Sequence, residues 1–285
     1  MLCCIGDLVE DVVVWLSEEP TVGTDTPAQV FHRRGGSAAN VAALAVEAGG
    51  QSRFIGQVGD DQLGLQLTGQ LEAAGVDVMV EQQGRTGTVV ILVDRSAERT
   101  MLPDRGAATE LDYVADTALD GVGWLHVPGY SLIVEPLGAT TRDLIERAHQ
   151  RSIPVSVDAS STGLVETFGT ARFVRLLEQL HPAVLFCNSD EATLLNLGPG
   201  RPASRVGLTV LKAGAGSTML ISADGSTEVV PVDTVSAVID TTGAGDAFAA
   251  GYLVAALETR TPLEAVQAAH RLAATVLSQP GAAST

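Results

Sequence analysis

The chain has 285 residues, 46% of them hydrophobic and 18% charged, a balance that supports a packed core and excludes a disordered polymer. Its formal net charge of −17 lacks the basic footprint of a nucleic-acid binder and suits an anionic membrane surface no better. No run approaches the roughly 18 apolar residues of a membrane span. Asp7, Glu10 and Asp11 interrupt the N-terminal apolar segment, so no secretion signal is expected and the cytoplasm is the default location.

Leu2 to Ile5 reads as a short buried strand ending at Gly6. The adjacent Cys3 and Cys4 in that strand, with Cys187 as the third cysteine, form no disulfide framework and are expected to be buried free thiols. Val12 to Trp15 and Gln29 to His32 read as exposed strands around a turn-rich segment. Ser37 to Ala48 is a predicted helix stopped by Gly49-Gly50, and Ser52 to Val58 is the next strand. Asp60 or Asp61 then caps a helix carrying Leu63, Leu67 and Leu71. Alternating strands and helices predict a parallel sheet.

That rhythm breaks between Val76 and Leu102, where Val78 to Val80, Thr88 to Val93 and Arg99 to Leu102 are β-rich without a helix. With the Val12 to His32 segment they are expected to make a small antiparallel flap from about residues 11–32 and 77–102. The rhythm resumes with a strand at Gly123 to Val127, a helix at Pro136 to Gln150, and strands at Pro154 to Val157, Ala183 to Cys187 and Leu208 to Leu211. Helices at Gly245 to Leu257 and Leu263 to Leu277 close the chain. No repeat or flexible linker divides it, so residues 1–285 are expected to form one domain.

The chemistry concentrates at Asp240-Thr241-Thr242-Gly243-Ala244-Gly245-Asp246. Gly243 and Gly245 leave backbone N–H groups unobstructed where the following apolar run opens a helix, and a helix N-terminus attracts an anion. Asp246 in that first turn either caps the helix or accepts a hydroxyl proton while the N–H groups stabilise a transferring phosphoryl group. Further upstream, Gly35-Gly36-Ser37-Ala38-Ala39-Asn40 places two glycines, which let a ligand approach the backbone, before a helix-start Asn.

These two segments, in this order and at about this spacing, resemble the two signatures of the ribokinase-like (PfkB) carbohydrate kinase family, and the resemblance runs from Gly6 to Gly281. It implies an α/β fold: a doubly wound, mostly parallel sheet with helices on both faces, and a β lid that in the family often mediates dimerisation. It also implies ATP-dependent phosphorylation of a primary hydroxyl on a small sugar or sugar acid. Asp246 would be the base, and Gly243, Ala244 and Gly245 would form the anion hole with it. Asp11, Gly35, Gly36 and Asn40 would bind the acceptor. Asp11 is otherwise a solvated strand-end charge and Asn40 a capping residue. Where ribokinases proper carry an Asn two residues before that Asp, this chain has Val9, which weakens the case for ribose.

For the nucleotide, the resemblance implies Asn188, Lys212, Gly214 and Gly245. The segment after Lys212 departs from the family pattern, with Ser217 where a glycine is usual and Gly216 one position early; Lys212 is alternatively a surface cation. Asn188 and Glu191 match an Asn-x-x-Glu motif that organises Mg²⁺, mostly through water, and could equally be a helix cap. Asp240, Thr242 and the Pro280 to Ala282 segment fall where family members hold a monovalent cation, here K⁺. Arg99 and Arg105, at the end of the flap, either reach the substrate or stay solvated. A nucleoside kinase of the same family and a non-catalytic ligand-binding homologue are the alternatives. A Rossmann oxidoreductase is disfavoured because no Gly-x-Gly-x-x-Gly follows the first strand.

Overall fold

The computed structural model describes residues 1–96, 98–232 and 241–278. Four apolar residues with no exposed surface make β1 (Leu2–Ile5). From there the chain leaves the main sheet for β2 (Val9–Leu16) and β3 (Ala28–Gly35), then returns through α1 (Ser37–Glu47) to β4 (Ser52–Val58). Asp61 caps α2 (Gln62–Ala73) by accepting from the Gly64 N–H, and α2 leads into β5 (Asp77–Gln82). A second excursion forms β6 (Thr86–Val93) and β7 (Arg99–Gly106).

The next elements alternate regularly: β8 (Trp124–Pro128), α3 (Leu137–Gln150), β9 (Val155–Asp158), α4 (Thr162–Phe168), α5 (Thr170–Leu180), β10 (Val184–Asn188), α6 (Ser189–Leu194) and β11 (Leu208–Ala213). An antiparallel pair, β12 (Gly216–Ser222) and β13 (Thr227–Val230), extends the edge before α7 (Ala244–Leu257) and α8 (Pro262–Leu277).

Among the described residues nine strands form the main sheet in the order β13-β12-β11-β10-β9-β8-β1-β4-β5, parallel from β11 to β5. Alternate residues of β1 feed two separate cores: Leu2 and Cys4 face α1, α7 and α8, whereas Cys3 and Ile5 face α3 and α5. Both faces of the sheet are therefore covered, as the strand–helix alternation predicts. All three cysteines are buried and free. Helix α7 is apolar almost all round because it is the buried layer between α1 and α8; a Cβ at Gly251 would come within 2.9 Å of the Ala269 backbone, so glycine sets how closely α8 crosses.

The lid is a second sheet, β3-β2-β6-β7. Two features of the predicted flap need correction. Residues 77–82 do not join it: β5 is the edge of the main sheet, parallel to β4, with Val78 and Val80 packed on one core and Met79 on the other. Like the lid strands, the segment is short, β-rich and partly exposed, which is why the pattern misled. The lid is also mixed rather than antiparallel, since β2 and β6 run parallel. Helices α4 and α5 and the β12–β13 pair have no counterpart among the predicted elements.

Candidate active site

The carboxyl ends of the parallel strands form one edge of the main sheet, where open α/β folds bind ligands. Asp158 and Asn188 end β9 and β10, Lys212 lies at the close of β11, and Asp7 follows β1. The lid and the N-termini of α1 and α7 face the same edge.

Gly243 is the N-cap of α7 with φ 76°, a left-handed conformation that glycine adopts without strain. Ala244, Gly245 and Asp246 are the first three helical residues, and Gly243, the N-cap, has no side chain to cap them. The Ala244 N–H donates to the Thr241 carbonyl at 3.3 Å, a long bond within the turn. Both Asp246 oxygens are held by the first turns of α1: Ser37 Oγ donates to Oδ1 at 2.7 Å and Asn40 Nδ2 to Oδ2 at 3.0 Å. Two helix N-termini thus converge on one carboxylate. Burial pushes its pKa up to about 6, while the bonds from Ser37 and Asn40 pull the other way. Ser37 was not anticipated from sequence. Asn40 is 6% exposed, and its Oδ1 is buried with no hydrogen-bond partner. A buried acceptor left unpaired calls for a donor.

Asp11 in β2 lies near enough to Asp246 to feel its charge. Burial, and then the Asp246 charge, pushes the Asp11 carboxyl up to about 7. A Cβ at Gly35 would occupy the Asp11 carboxyl group, and one at Gly36 (φ 99°) would overlap the Asp7 carbonyl. The protein's own packing therefore requires both glycines, a reason that sequence reasoning had given to a ligand.

Asp7 and Arg105 form a bidentate pair: Nε donates to Oδ2 and Nη2 to Oδ1, each at 2.6 Å, with Nη2 also donating to the Tyr130 carbonyl at 3.1 Å. Arg105 is accordingly neither solvated nor free to reach a substrate; it ties the last strand of the lid to the end of β1.

Asn188 and Glu191 form a reciprocal capping box on α6. The Glu191 N–H donates to Asn188 Oδ1 at 2.9 Å and the Asn188 N–H to Glu191 Oε2 at 2.8 Å. Glu191 is 2% exposed, and burial raises its carboxyl pKa. Among the described residues no group of three or more His, Cys, Asp or Glu side chains could hold a metal ion. Gly214 (φ 58°) opens the tight turn between β11 and β12, so the shifted glycine spacing after Lys212 makes a hairpin. Lys212 is no surface cation: its Nζ donates to Asp158 Oδ2 at 2.8 Å, and the two side chains are 15% and 13% exposed. Asp158 was also missed, although an Asp closing the apolar strand Val155–Asp158 was a readable sign of a charge at the sheet edge. Thr242 lies just before Gly243; Asp240 and Pro280 to Ala282 are outside the described residues.

The family model for pfkB family carbohydrate kinases matches residues 1–285. A fructokinase of Klebsiella pneumoniae is 31% identical over 267 residues, covering 87% of this chain and 82% of its own. Among solved structures, an adenosine kinase from Sinorhizobium meliloti superimposes with a TM-score of 0.87 at 22% identity, over 99% of this chain and 94% of the other. A sugar kinase from Pyrococcus horikoshii in complex with ATP does so at 0.84 and 24%, with the same coverage. No helix among the described residues is long and apolar enough to cross a membrane. With both signatures meeting at Asp246 and the family model matching end to end, the chain belongs to the pfkB family of carbohydrate kinases.

Proposed function

We propose that the protein transfers the terminal phosphoryl group of ATP to a primary hydroxyl of a small sugar or sugar acid, with Asp246 as general base. The observation that carries this is the Asp246 carboxylate, fixed by Ser37 and Asn40 on the first turn of a helix whose N-cap is a glycine. The acceptor hydroxyl gives its proton to Asp246 and its oxygen attacks the terminal phosphorus. The bond from that phosphorus to the bridging oxygen breaks, and the electron pair leaves with ADP. N–H groups of the Gly243-Ala244-Gly245-Asp246 turn stabilise the charge on the transferring group.

Asp11 accepts hydroxyls of the acceptor, Asn40 Oδ1 offers an unused acceptor, and Gly35 and Gly36 hold Asp11 and the α1 turn in place. Asn188, Lys212, Gly214 and Gly245 line the nucleotide side, and the ATP held by the Pyrococcus kinase of the same fold supports the donor. Asn188 Oδ1 and Glu191 Oε2 are engaged in the capping box, so these residues would hold Mg²⁺ through water rather than directly, as suits an ion that keeps most of its waters; when bound it would neutralise phosphate charge. A K⁺ requirement rests on Thr242 and the motif around it.

Asp11→Ala is expected to raise the acceptor KM by about tenfold or more while leaving the ATP KM little changed, because ground-state hydroxyl contacts are lost. Loss of ATP binding with normal acceptor affinity would place the two substrates at the wrong ends.

One observation favours a nucleoside acceptor as a second reading. Val13, Phe31, Ile91 and Met101 are register partners on the lid face that also carries Asp11 and Arg105. Phe31 is 42% and Met101 53% exposed, an apolar wall that a base could cover. A coupled ADP-release assay with Mg²⁺ over sugars, sugar acids and nucleosides tests both. The highest kcat/KM is expected for a sugar or sugar acid; a nucleoside at the top selects the second reading, and no ADP from any acceptor, with or without Mg²⁺, sinks both.

The opposite lid face carries Val12, Val14, Val30, Val90, Leu92 and Leu102, with Val30 and Leu102 each 52% exposed. A second copy presenting the same face across a two-fold axis would cover it. Sedimentation at micromolar concentration is expected to give two chains, falling to one in Leu102→Glu; a wild-type monomer removes the homodimer.

A further inference from the structure

Lys212 stands opposite Asn188 on β10, and Asp158 on β9 stands opposite Phe186 of the same strand. To meet Asp158 the lysine has to reach across β10, and its Nζ lies 5.9 Å from the centre of the Phe186 ring. Holding a long side chain across a neighbouring strand costs rotamer freedom that a surface lysine keeps. As a stabilising device the arrangement is weak, because a buried ion pair is often no better than an apolar replacement. The structure therefore spends this geometry on a particular position of the ammonium.

That position is at the anion cradle. Lys212 Nζ lies 3.6 Å from where a Cβ on Gly245 would stand, and Gly245 is the exposed second residue of α7. The carboxylate that holds it is itself fixed: Asp158 Oδ1 accepts from the Ser160 N–H at 2.8 Å. Ser160 (φ 70°) is locked in turn by its Oγ, which accepts from the Gly129 N–H at 2.9 Å. Burial alone would lower the Lys212 pKa, but the Asp158 charge and hydrogen bond hold it above its ordinary value, so the ammonium stays charged. An ammonium has three donors and Asp158 accepts one.

We propose that Asp158 is a positioning residue: it holds the ammonium of Lys212, already placed on the nucleotide side, at the terminal phosphate of the bound nucleoside triphosphate. This rests on the phosphotransferase reading above. The terminal phosphate is singled out because Gly245 adjoins Asp246: the phosphoryl group that moves must lie within reach of the hydroxyl on Asp246, and Lys212 opens onto that same turn.

The test needs no acceptor. ATP and ADP binding, each with Mg²⁺, are measured by calorimetry on the whole enzyme. Lys212→Met is expected to weaken ATP about tenfold to a hundredfold, the loss of a charge-assisted contact, with ADP changed less than about threefold. Asp158→Asn is expected to weaken ATP in the same sense, and to add nothing when combined with Lys212→Met, because it acts through the ammonium. If Lys212→Met alone fails to fold, the Lys212→Met/Asp158→Asn double, which carries neither charge, gives the same ATP-against-ADP comparison. Equal losses for ATP and ADP, or none, overturn the Lys212 assignment, and an additive Asp158→Asn effect overturns the positioning role. A wild-type enzyme that binds neither nucleotide overturns the phosphotransferase reading together with this one; one that binds ATP while the double variant binds it equally well overturns this one alone.

Discussion

Asp246→Asn is expected to lower kcat by about two to four decades while leaving nucleotide affinity nearly intact, the usual share of a general base in proton transfer. The substitution is nearly isosteric, and the surroundings can absorb it. The amide oxygen still accepts from Ser37, and the new NH₂ group faces Asn40, whose Oδ1 has no partner at present. The fold should therefore survive. Its folded-state pKa is raised, from 3.8 to about 6, so between roughly pH 4 and 6 the unfolded chain releases a proton that the folded one keeps. Stability conferred by the protonated form is thus lost as pH rises through that window. Asp246→Asn removes this penalty and is expected to melt no lower than wild type at pH 7.5. A kcat near that of wild type would refute the base, and a lower melting point would refute the account of its burial.

Arg105→Ala is expected to be the most destabilising single change at the lid. It strips Asp7, whose side chain is only 12% exposed, of both its guanidinium bonds and leaves a buried carboxylate unpaired. Breaking one side of such a pair costs about 3–5 kcal/mol, a fall in Tm on the order of 10 °C. Arg105→Lys should recover little, because an ammonium cannot reproduce two parallel N–H···O bonds. Removing both charges in Asp7→Asn/Arg105→Met should cost less than Arg105→Ala alone, since no charge is then stranded. Thermal unfolding of the three variants reads this directly. An Arg105→Ala protein as stable as wild type would mean that the pair does not anchor the lid.

The parallel sheet was legible because its strands are short, rich in apolar residues and separated by helical segments, as at the wholly apolar Leu2–Ile5 and at Ser52–Val58 with its Phe54, Ile55 and Val58. The Gly-Ala-Gly-Asp turn was legible because the residues that make it are contiguous. What stayed hidden depends on partners far apart in the chain. Ser37 meets Asp246 across 209 residues, Asp7 meets Arg105 across 98, and Lys212 meets Asp158 across 54. Local pattern carries no trace of such pairings, so Lys212 could equally be read as a surface cation and Arg105 as solvated. The capping reading of Asn188 and Glu191 was open from sequence, and the geometry supplies both of its hydrogen bonds. The assignment of residues 77–82 failed for a different reason. A strand at the edge of the main sheet and a strand in the lid are both partly exposed and β-rich, and only the long-range register to Arg53–Val58 separates them.

The central claim is that an ionised Asp246 takes the acceptor proton, and the pH dependence of turnover tests it most directly. Burial and then the Asp246 charge hold Asp11 at about 7, and burial holds Asp246 at about 6. With the best acceptor, kcat/KM is expected to plateau only above about pH 8 and to fall through two protonations, near 7 and near 6, while kcat at saturating acceptor falls through one, near pH 6. In Asp246→Asn the residual kcat should lose that limb. A wild-type kcat that stays flat from pH 5 to pH 8 would contradict the assignment of Asp246 as the base.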